Sequence, residues 1–382
     1  MGALTDSQAK QGVDLSRSRI PELDLLRFTA AAAVVAFHFY VLLPGDTDVQ
    51  RAISAVARFG FMGVPLFFMI SGFVIFWTAF NRSPGEFVLA RLCRLYPSYW
   101  VCVLITSGVL ALAGGAPSWP QIAANLTMFH HLFGFNSIDE VYWTLFIELK
   151  FYGLVFILLA CRQLPRIERW LAVWLGLCVV SLLMGLERHA AVRGLDTIVF
   201  EGDAAYFAFG CYAYLIRTKG PAPARWIGFG VSGLLSVCAA LRTQSHYTWS
   251  NDWMTLAVVA IIVVAACAAM LAVATLKWSL PKTSLWYWLG SLTYPLYLLH
   301  AMAGKALYDM LPVTWGLWTR IAVALAAVFA VVTPLAIGIE QRGCNALYRW
   351  LSGTMRRRSV AGSETPATRD PAAADRPTTS AV

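Results

Sequence analysis

His38 and Arg27 are the first residues whose types and spacing suggest chemistry. They lie eleven residues apart in an otherwise apolar stretch, LDLLRFTAAAAVVAFHFYVLLPG. Eleven residues of α-helix make three turns plus about 20°, so both side chains share one face, about 16 Å apart along the axis. The small residues Ala30 to Ala33 between them leave room for close helix packing or a slender ligand. The alternative interpretation is structural, with Arg27 reaching a lipid phosphate and His38 a satisfied core histidine.

Glu148 is the second ionisable candidate, within the apolar stretch VYWTLFIELKFYGLVFILLA. Ionisable groups in a bilayer are costly unless they have partners, and a carboxylate beside an imidazole orients the imidazole as a base. Glu148 and His38 lie at comparable depths below the outer ends of their stretches, so we expect Glu148 to orient His38. The alternative is a structural ion pair of Glu148, either with Lys150 or with a neighbouring helix. Residues two apart on a helix do not face each other, which favours separate partners for Glu148 and Lys150.

Arg91 and Arg94 form a basic i, i+3 pair in the segment NRSPGEFVLARLCRLYPSYW. Planar guanidinium groups suit the recognition of several phosphate oxygens at once. The pair therefore predicts a phosphate-binding site at the inner surface. A simple anchor to lipid headgroups is the competing interpretation.

Further polar residues of the apolar stretches are candidates for supporting roles. Ser71 lies in GVPLFFMISGF, and His300 ends LTYPLYLLH. Trp143 and Tyr152 flank Glu148 on its own stretch. The eight cysteines show neither a CxxC pair nor a Cys/His spacing typical of zinc, so we expect no metal site.

The elements that position these residues follow from the composition. The chain has 382 residues, 58% hydrophobic and only 13% charged. Soluble proteins have about 25% charged residues, so an ordinary cytosolic enzyme and a disordered chain are both excluded. A spanning helix needs about 20 mostly apolar residues. We predict an all-α, polytopic transmembrane helix bundle of about ten spans, near residues 25–43, 60–80, 98–113, 141–161, 169–186, 200–216, 226–241, 252–276, 285–304 and 317–339.

The basic residues predict the orientation of this bundle. With ten spans, 22 of the 30 Lys and Arg residues lie on the side of the termini and seven on the other, and Lys150 lies within a span. Cytoplasmic loops are enriched in Lys and Arg, so we expect both termini in the cytoplasm. The formal charge of +9 is therefore a sign of topology, and no nucleic-acid partner is expected.

The ends of the chain are predicted to be tails around one membrane domain. Residues 1–18 are polar and form the expected cytoplasmic N-terminal tail. The membrane domain is predicted over 19–355. Residues 356–382 are first basic and then rich in Ala, Thr, Ser and Pro, which is typical of a lipid-contacting, then disordered, C-terminal tail.

Taken together, these segments resemble the acyltransferase-3 family of integral membrane acyltransferases. The resemblance spans nearly all of residues 19–345, and the matching segments occur in the order typical of the family. They are Arg27-x10-His38, GVPLFFMISGF, RLCRLYPSYW, WTLFIELKFY, LTYPLYLLH and IEQRG. The segment around Glu148 departs from the family pattern at Phe146 and at Leu149-Lys150, which puts the local partner of Glu148 in doubt.

The resemblance implies transfer of an acyl group, most often acetyl, from a cytoplasmic acyl-CoA to a hydroxyl of a cell-surface or exported glycan. The glycan can be lipid-linked, and the protein would lie among the lipids of a bacterial cytoplasmic membrane. Acyl-CoA would be a co-substrate, with no permanently bound cofactor. Arg27, Arg91 and Arg94 would hold the donor phosphates, and His38 with Glu148 would be catalytic.

Two questions stay open at this level. His38 acts either as a general base on the acceptor hydroxyl or as a nucleophile that takes the acyl group transiently. A different class of protein, a proton-coupled transporter or a flippase of a lipid-linked sugar, would also place ionisable groups inside a bundle. Transporters often show repeat symmetry with paired broken helices. Pro65, Pro295 and Pro334 fall at unmatched positions, which favours the enzyme.

Overall fold

The computed structural model of the protein describes residues 20–41, 47–80, 82–184, 201–248, 250–276, 280–281 and 283–363. This part of the chain is all-helical and contains no β-strand. Its α-helices, labelled in chain order, are α1 (Pro21–Tyr40), α2 (Asp48–Ala57), α3 (Gly63–Ala79), α4 (Pro84–Leu112), α5 (Trp119–Leu126), α6 (Trp143–Ala160), α7 (Ile167–Met184), α8 (Glu201–Lys219), α9 (Pro223–Thr243), α10 (Ser245–Thr248), α11 (Trp253–Thr275), α12 (Ser284–Leu299), α13 (Met302–Met310), α14 (Leu317–Leu335) and α15 (Cys344–Ser363).

Local signals in the sequence set several helix starts. Ser83 caps α4: its hydroxyl accepts a hydrogen bond from the Glu86 backbone N–H (3.3 Å), and the Glu86 carboxylate accepts one from the Ser83 N–H (3.1 Å). Pro84 follows at the first helical position, where its missing N–H costs nothing. Asp252 caps α11 by accepting from the Thr255 N–H at 2.9 Å. These caps fix the ends of two long helices that frame the bundle.

Helix α8 lies at the centre of the bundle. Its side chains from Ala204 to Phe209 are all 3% exposed or less, and it packs on α3, α7, α9 and α11. Glycines allow α3 and α8 to touch backbone to backbone: a methyl group at Gly72 would overlap the Phe207 carbonyl, and one at Gly210 would overlap that of Met69. The two helices therefore pack without intervening side chains at these points.

Helix α1 is held between α3 and α12. A methyl group at Gly60 or Gly63 would overlap the carbonyls of Ala33 or Ala30, so α3 and the turn before it run antiparallel to α1. On the other side, the Asp24 carboxylate lies against Gly290 of α12. The C-terminal ends of α1 and α12 also meet, through the imidazoles described below, so these two helices run parallel.

Eight helical segments of the described chain are long and apolar enough to cross a membrane. The multi-pass helical bundle is confirmed, whereas the count of ten spans and the cytoplasmic termini stay predictions. Two predicted spans are not among the eight. Span 200–216 corresponds to α8, which has charged residues at both ends and is shielded by its neighbours. Span 285–304 corresponds to α12, which has only 16 residues.

The predicted tails fall largely beyond the described residues. Residues 1–18 and 364–382 lie outside them, so the predicted N-terminal tail and most of the C-terminal one stay predictions. Helix α15 continues to Ser363 and so passes through the predicted domain boundary at residue 356.

Candidate functional site

His38, in the last turn of α1, contacts His300. His300 Nε2 lies 3.2 Å from His38 Nδ1, and the two rings meet edge to face with centroids 4.7 Å apart. His300 is fully buried, whereas His38 is half-buried. The sequence placed His300 among the supporting residues, and the structure places it directly against the proposed base.

The surrounding carbonyls determine which nitrogens carry protons in the neutral pair. His300 Nδ1 faces the carbonyls of Leu296 (3.1 Å) and Tyr297 (2.9 Å), which can only accept, so Nδ1 is the donor and Nε2 is the acceptor. His38 Nδ1 faces the Val34 carbonyl at 2.8 Å and this acceptor nitrogen, so it too is the donor. The lone pair of neutral His38 is therefore on Nε2.

A helix break holds His300 in place. Helix α12 ends at Leu299, the backbone leaves the helical region at Ala301 (φ −79°, ψ −86°), and α13 begins at Met302. The fully buried Asp139 carboxylate caps this new start by accepting from the Met302 N–H at 2.9 Å, and it accepts from the Val141 N–H at 3.2 Å. Burial raises the pKa of the Asp139 carboxyl to about 7, although these two donors act in the opposite direction. Asp139 therefore positions the segment that presents His300.

Glu148 has other partners than His38, and the expected pairing of the two residues is wrong. The Glu148 carboxylate accepts hydrogen bonds from the Ser71 hydroxyl (2.7 Å) and the Tyr152 hydroxyl (2.6 Å). The carboxylate in electrostatic range of His38 is instead that of the exposed Glu140.

The reason for this difference is where α6 begins. Two residues at its start are buried: Tyr142, directly before the helix, is 1% exposed, and Thr144, its second residue, is hydrogen-bonded to the Tyr297 hydroxyl at 2.9 Å. Helix α6 therefore starts inside the bundle, and depths counted from its first residue do not compare with depths along α1. Trp143 begins this helix and is 36% exposed. No hydrogen bond to Glu148 or His38 is found for Trp143 within the described residues.

Glu148 belongs to an inner cluster with Arg91. The Arg91 guanidinium lies over the Tyr152 ring, 5.8 Å from its centroid, and interacts electrostatically with Glu148. The structure thus brings together Ser71, Tyr152, Glu148 and Arg91. Phe146, one of the departures from the family pattern, lies on the same helix beneath the Lys150 ammonium, 4.9 Å from its ring centroid.

Arg94 is engaged in a structural pair. Its guanidinium forms an ion pair with Glu340, whose carboxylate also accepts from the Ser98 hydroxyl at 2.5 Å and is 6% exposed. Glu340 lies in a π-helix, Ala336–Gly343, just after Pro334, whose missing N–H interrupts the regular helical ladder. This contact ties the inner half of α4 to the end of α14.

Arg27 also has a carboxylate neighbour. Its guanidinium lies 3.5 Å from the buried Asp24 carboxylate, and Asp24 packs on Gly290 of α12. Each of the three arginines expected to hold donor phosphates therefore has an acid nearby: Asp24 for Arg27, Glu148 for Arg91 and Glu340 for Arg94.

Asp139 is the residue of the candidate site that sequence reasoning missed. It lies in a short polar segment, SIDE, that reads as an ordinary surface loop. Its carboxylate caps α13 through Met302, 163 residues away in the chain, so no local pattern indicates its burial. The described residues contain no group of three His, Cys, Asp or Glu side chains that could hold a metal ion.

Comparisons with known proteins give the context of this site. The peptidoglycan O-acetyltransferase OatA of Listeria monocytogenes is 22% identical over 334 residues, covering 76% of this chain and 50% of that protein. The acyltransferase MdmB of Streptomyces mycarofaciens is 30% identical over 149 residues, 35% of this chain and 38% of that protein. The putative membrane-bound transacylase BcsY of Komagataeibacter xylinus is 26% identical over 212 residues, 50% of this chain and 45% of that protein.

The chain thus spans no more than half the length of these curated relatives. No solved structure matches it. A family model described as an acyltransferase domain matches residues 20–337, which include both imidazoles and the inner cluster. Since this match covers most of the helical bundle, the chain belongs to the acyltransferase-3 family of membrane acyltransferases.

Proposed function

We propose that the protein is a membrane-embedded O-acyltransferase. It moves an acyl group, taken here as acetyl, from acyl-CoA on the cytoplasmic side to a hydroxyl of a cell-surface or exported glycan. The observation that carries the proposal is the His38–His300 pair, which leaves a lone pair on His38 Nε2 inside the region matched by the family model. The name of one relative, a peptidoglycan O-acetyltransferase, supports acetyl as the group and a glycan as the acceptor.

The proposed reaction uses His38 as a general base. Its Nε2 takes the proton of the acceptor hydroxyl as the oxygen attacks the thioester carbonyl carbon. The C–S bond breaks, and the leaving thiolate takes the proton from the imidazolium, so CoA departs as a free thiol. His300 Nε2 accepts from His38 Nδ1–H throughout, and a neutral acceptor stabilises the imidazolium that forms.

The donor is proposed to enter from the cytoplasmic side, where Arg91 lies beside Glu148 and Tyr152. Acyl-CoA acts as a co-substrate that leaves in each cycle, and the scheme needs no permanently bound cofactor. The excess of basic residues on the side of the termini supports a bacterial cytoplasmic membrane location with both ends inside.

The test uses the full-length protein in membranes from a strain lacking its gene, with radiolabelled acetyl-CoA as donor. These membranes and the glycan fraction of the same strain supply the acceptor. His38→Ala should abolish label transfer to glycan at normal protein level, and His131→Ala, a change at an exposed histidine of an outer loop, should leave it intact. Full transfer by His38→Ala would overturn the role of His38.

Two further outcomes separate the open alternatives. Label recovered on His38 after rapid quenching would show that His38 is a nucleophile that carries the acyl group transiently, and not a general base. Movement of a lipid-linked sugar across the membrane without release of CoA would favour the transporter and contradict the acyltransferase.

A further inference from the structure

Arg82 and Arg91 carry buried guanidinium nitrogens that lack partners. Arg82 Nη1 and Arg91 Nε are both inaccessible to solvent, and neither has a hydrogen-bond partner among the residues that the structure describes. An unpaired buried donor is costly, and more so on a charged group. Such donors in a native structure point to a bound group that would satisfy them.

The two arginines lie together at the inner end of the bundle. Arg82 is two residues before α4, and its guanidinium lies over the Tyr348 ring of α15, 5.5 Å from the centroid. Arg91, on the third turn of α4, lies over Tyr152 of α6. Arg82 and Arg94 both act on Arg91 as repelling charges. Arg94 has an acid of its own, Glu340, whereas donors of Arg82 and Arg91 are left without a partner among the described residues.

Two acids lie near this pair. Glu148 interacts with Arg91, but its carboxylate accepts hydrogen bonds from Ser71 and Tyr152, and it offsets only one of the two positive charges. Glu340 pairs with Arg94. None of the ion pairs found among the described residues involves Arg82.

We propose that Arg82 and Arg91 together form a phosphate-binding site at the inner end of α4, and that Arg94 is not part of it. Guanidinium groups present forked donors that match phosphate oxygens, and a bound phosphate would satisfy both orphan nitrogens and cancel the repulsion. The source of the phosphate is either the CoA moiety of the donor or the headgroup of an anionic lipid. Assigning it to CoA rests on the proposed function.

The experiment measures binding of labelled CoA to the full-length protein in nanodiscs of an uncharged lipid. Arg82→Gln and Arg91→Gln should each weaken CoA binding at least tenfold. The exposed Arg166, expected on the same side of the membrane, is the matched control, and Arg166→Gln should bind CoA normally. Dephospho-CoA, which lacks one phosphate, shows whether that phosphate is the one recognised.

A second arm tests the lipid source and guards against misfolding. In nanodiscs containing phosphatidylglycerol, a lipid-headgroup site would raise the Tm of the parent protein but not of either variant, and CoA affinity would be equal in all three. Without any phosphate ligand, Arg82→Gln should melt at the same or a higher temperature than the parent, because it removes a charge that repels Arg91. Arg91→Gln also removes the positive charge beside Glu148, so a lower Tm is expected there and its CoA binding is compared at a temperature where the variant is folded. A large fall in Tm of Arg82→Gln would show that Arg82 is structural and would overturn the site.

The remaining outcomes separate this site from the proposed function. Unchanged CoA binding together with an unchanged lipid response in both variants would refute the phosphate site, whatever the activity. Loss of CoA binding in both variants, in a protein that transfers no acyl group, would support the site and refute the acyltransferase.

Discussion

Replacing His300 is the sharpest test of how the paired imidazoles work. In the proposed reaction His38 becomes a cation when it takes the acceptor proton, while His300 Nε2 continues to accept from its Nδ1–H. His300→Ala removes this acceptor and leaves only the Val34 carbonyl on that nitrogen. The base survives with its lone pair still on Nε2, so we expect slower turnover and not complete loss.

The size of the effect follows from the change in charge. A neutral hydrogen bond contributes about 0.5–1.5 kcal/mol, and one with a charged partner about 1.5–3 kcal/mol. The difference, about 1–2 kcal/mol, stabilises the state in which His38 is an imidazolium relative to the state in which it is neutral. It corresponds to a fall in kcat of about 5–30-fold for His300→Ala.

The assay is transfer of labelled acetyl to glycan, with KM for acetyl-CoA measured alongside kcat. Because His300 does not touch the inner cluster, KM for the donor should stay within twofold of the parent value. His300→Gln retains a carbonyl acceptor and should recover part of the lost rate, which a purely structural role would not explain. Thermal unfolding of both variants controls for damage at this buried position.

Two results would refute this reasoning. An unchanged kcat in His300→Ala would mean that the contact does not support the base. A loss as complete as in His38→Ala, with normal Tm, would mean that His300 itself performs the chemistry.

Three further predictions concern stability and pH, and thermal unfolding of the purified protein checks each. Gly210→Ala should lower stability by about 1–3 kcal/mol or more, because the added methyl group overlaps a backbone carbonyl of α3. In the control variant Gly230→Ala the added methyl group meets open space, so stability should not fall for this reason. Equal Tm values for the two variants would contradict the packing. Glu340→Gln should destabilise by about 1–3 kcal/mol, discounted because Arg94 is partly exposed, and a further change of Arg94 to Met should restore part of the loss. Burial lowers the pKa of His130, in the loop between α5 and α6, to about 4. Between about pH 4 and 6.5 the folded state therefore binds fewer protons than the unfolded state, and the free energy of unfolding should fall as the pH drops through this window. His130→Gln should make this fall smaller.

The bundle could be predicted from the sequence, and His38 could be singled out as a candidate, because both depend on local signals. Apolar stretches of membrane length indicate spans wherever lipid is the neighbour. The spacing of Arg27 and His38 marks one face of one helix. Helix α8 was predicted as a span but is not among the helices that are apolar enough to cross a membrane. Charged residues at both of its ends lower its hydropathy, and they are tolerated because its neighbours are other helices of the protein.

The partners of the base could not be predicted, because they depend on where helices start relative to one another. Glu148 was assigned to His38 on the assumption that spans begin at a common surface. Helix α6 instead begins within the bundle, and its acid meets Ser71 and Tyr152. The contact of His38 with His300 joins residues 262 apart in the chain, and only the parallel packing of α1 and α12 creates it.

The glycine contacts along α1 and α8 bear on how substrates reach the site. A carrier working by alternating access rocks one half of its bundle against the other. Here α1 contacts α3 and the turn before it, and α3 contacts α8, at glycines where the backbones touch with no side chain between them. Moving these helices past one another would require their backbones to separate first. In the proposed reaction, donor and acceptor would therefore enter the site while α1, α3 and α8 keep their relative positions.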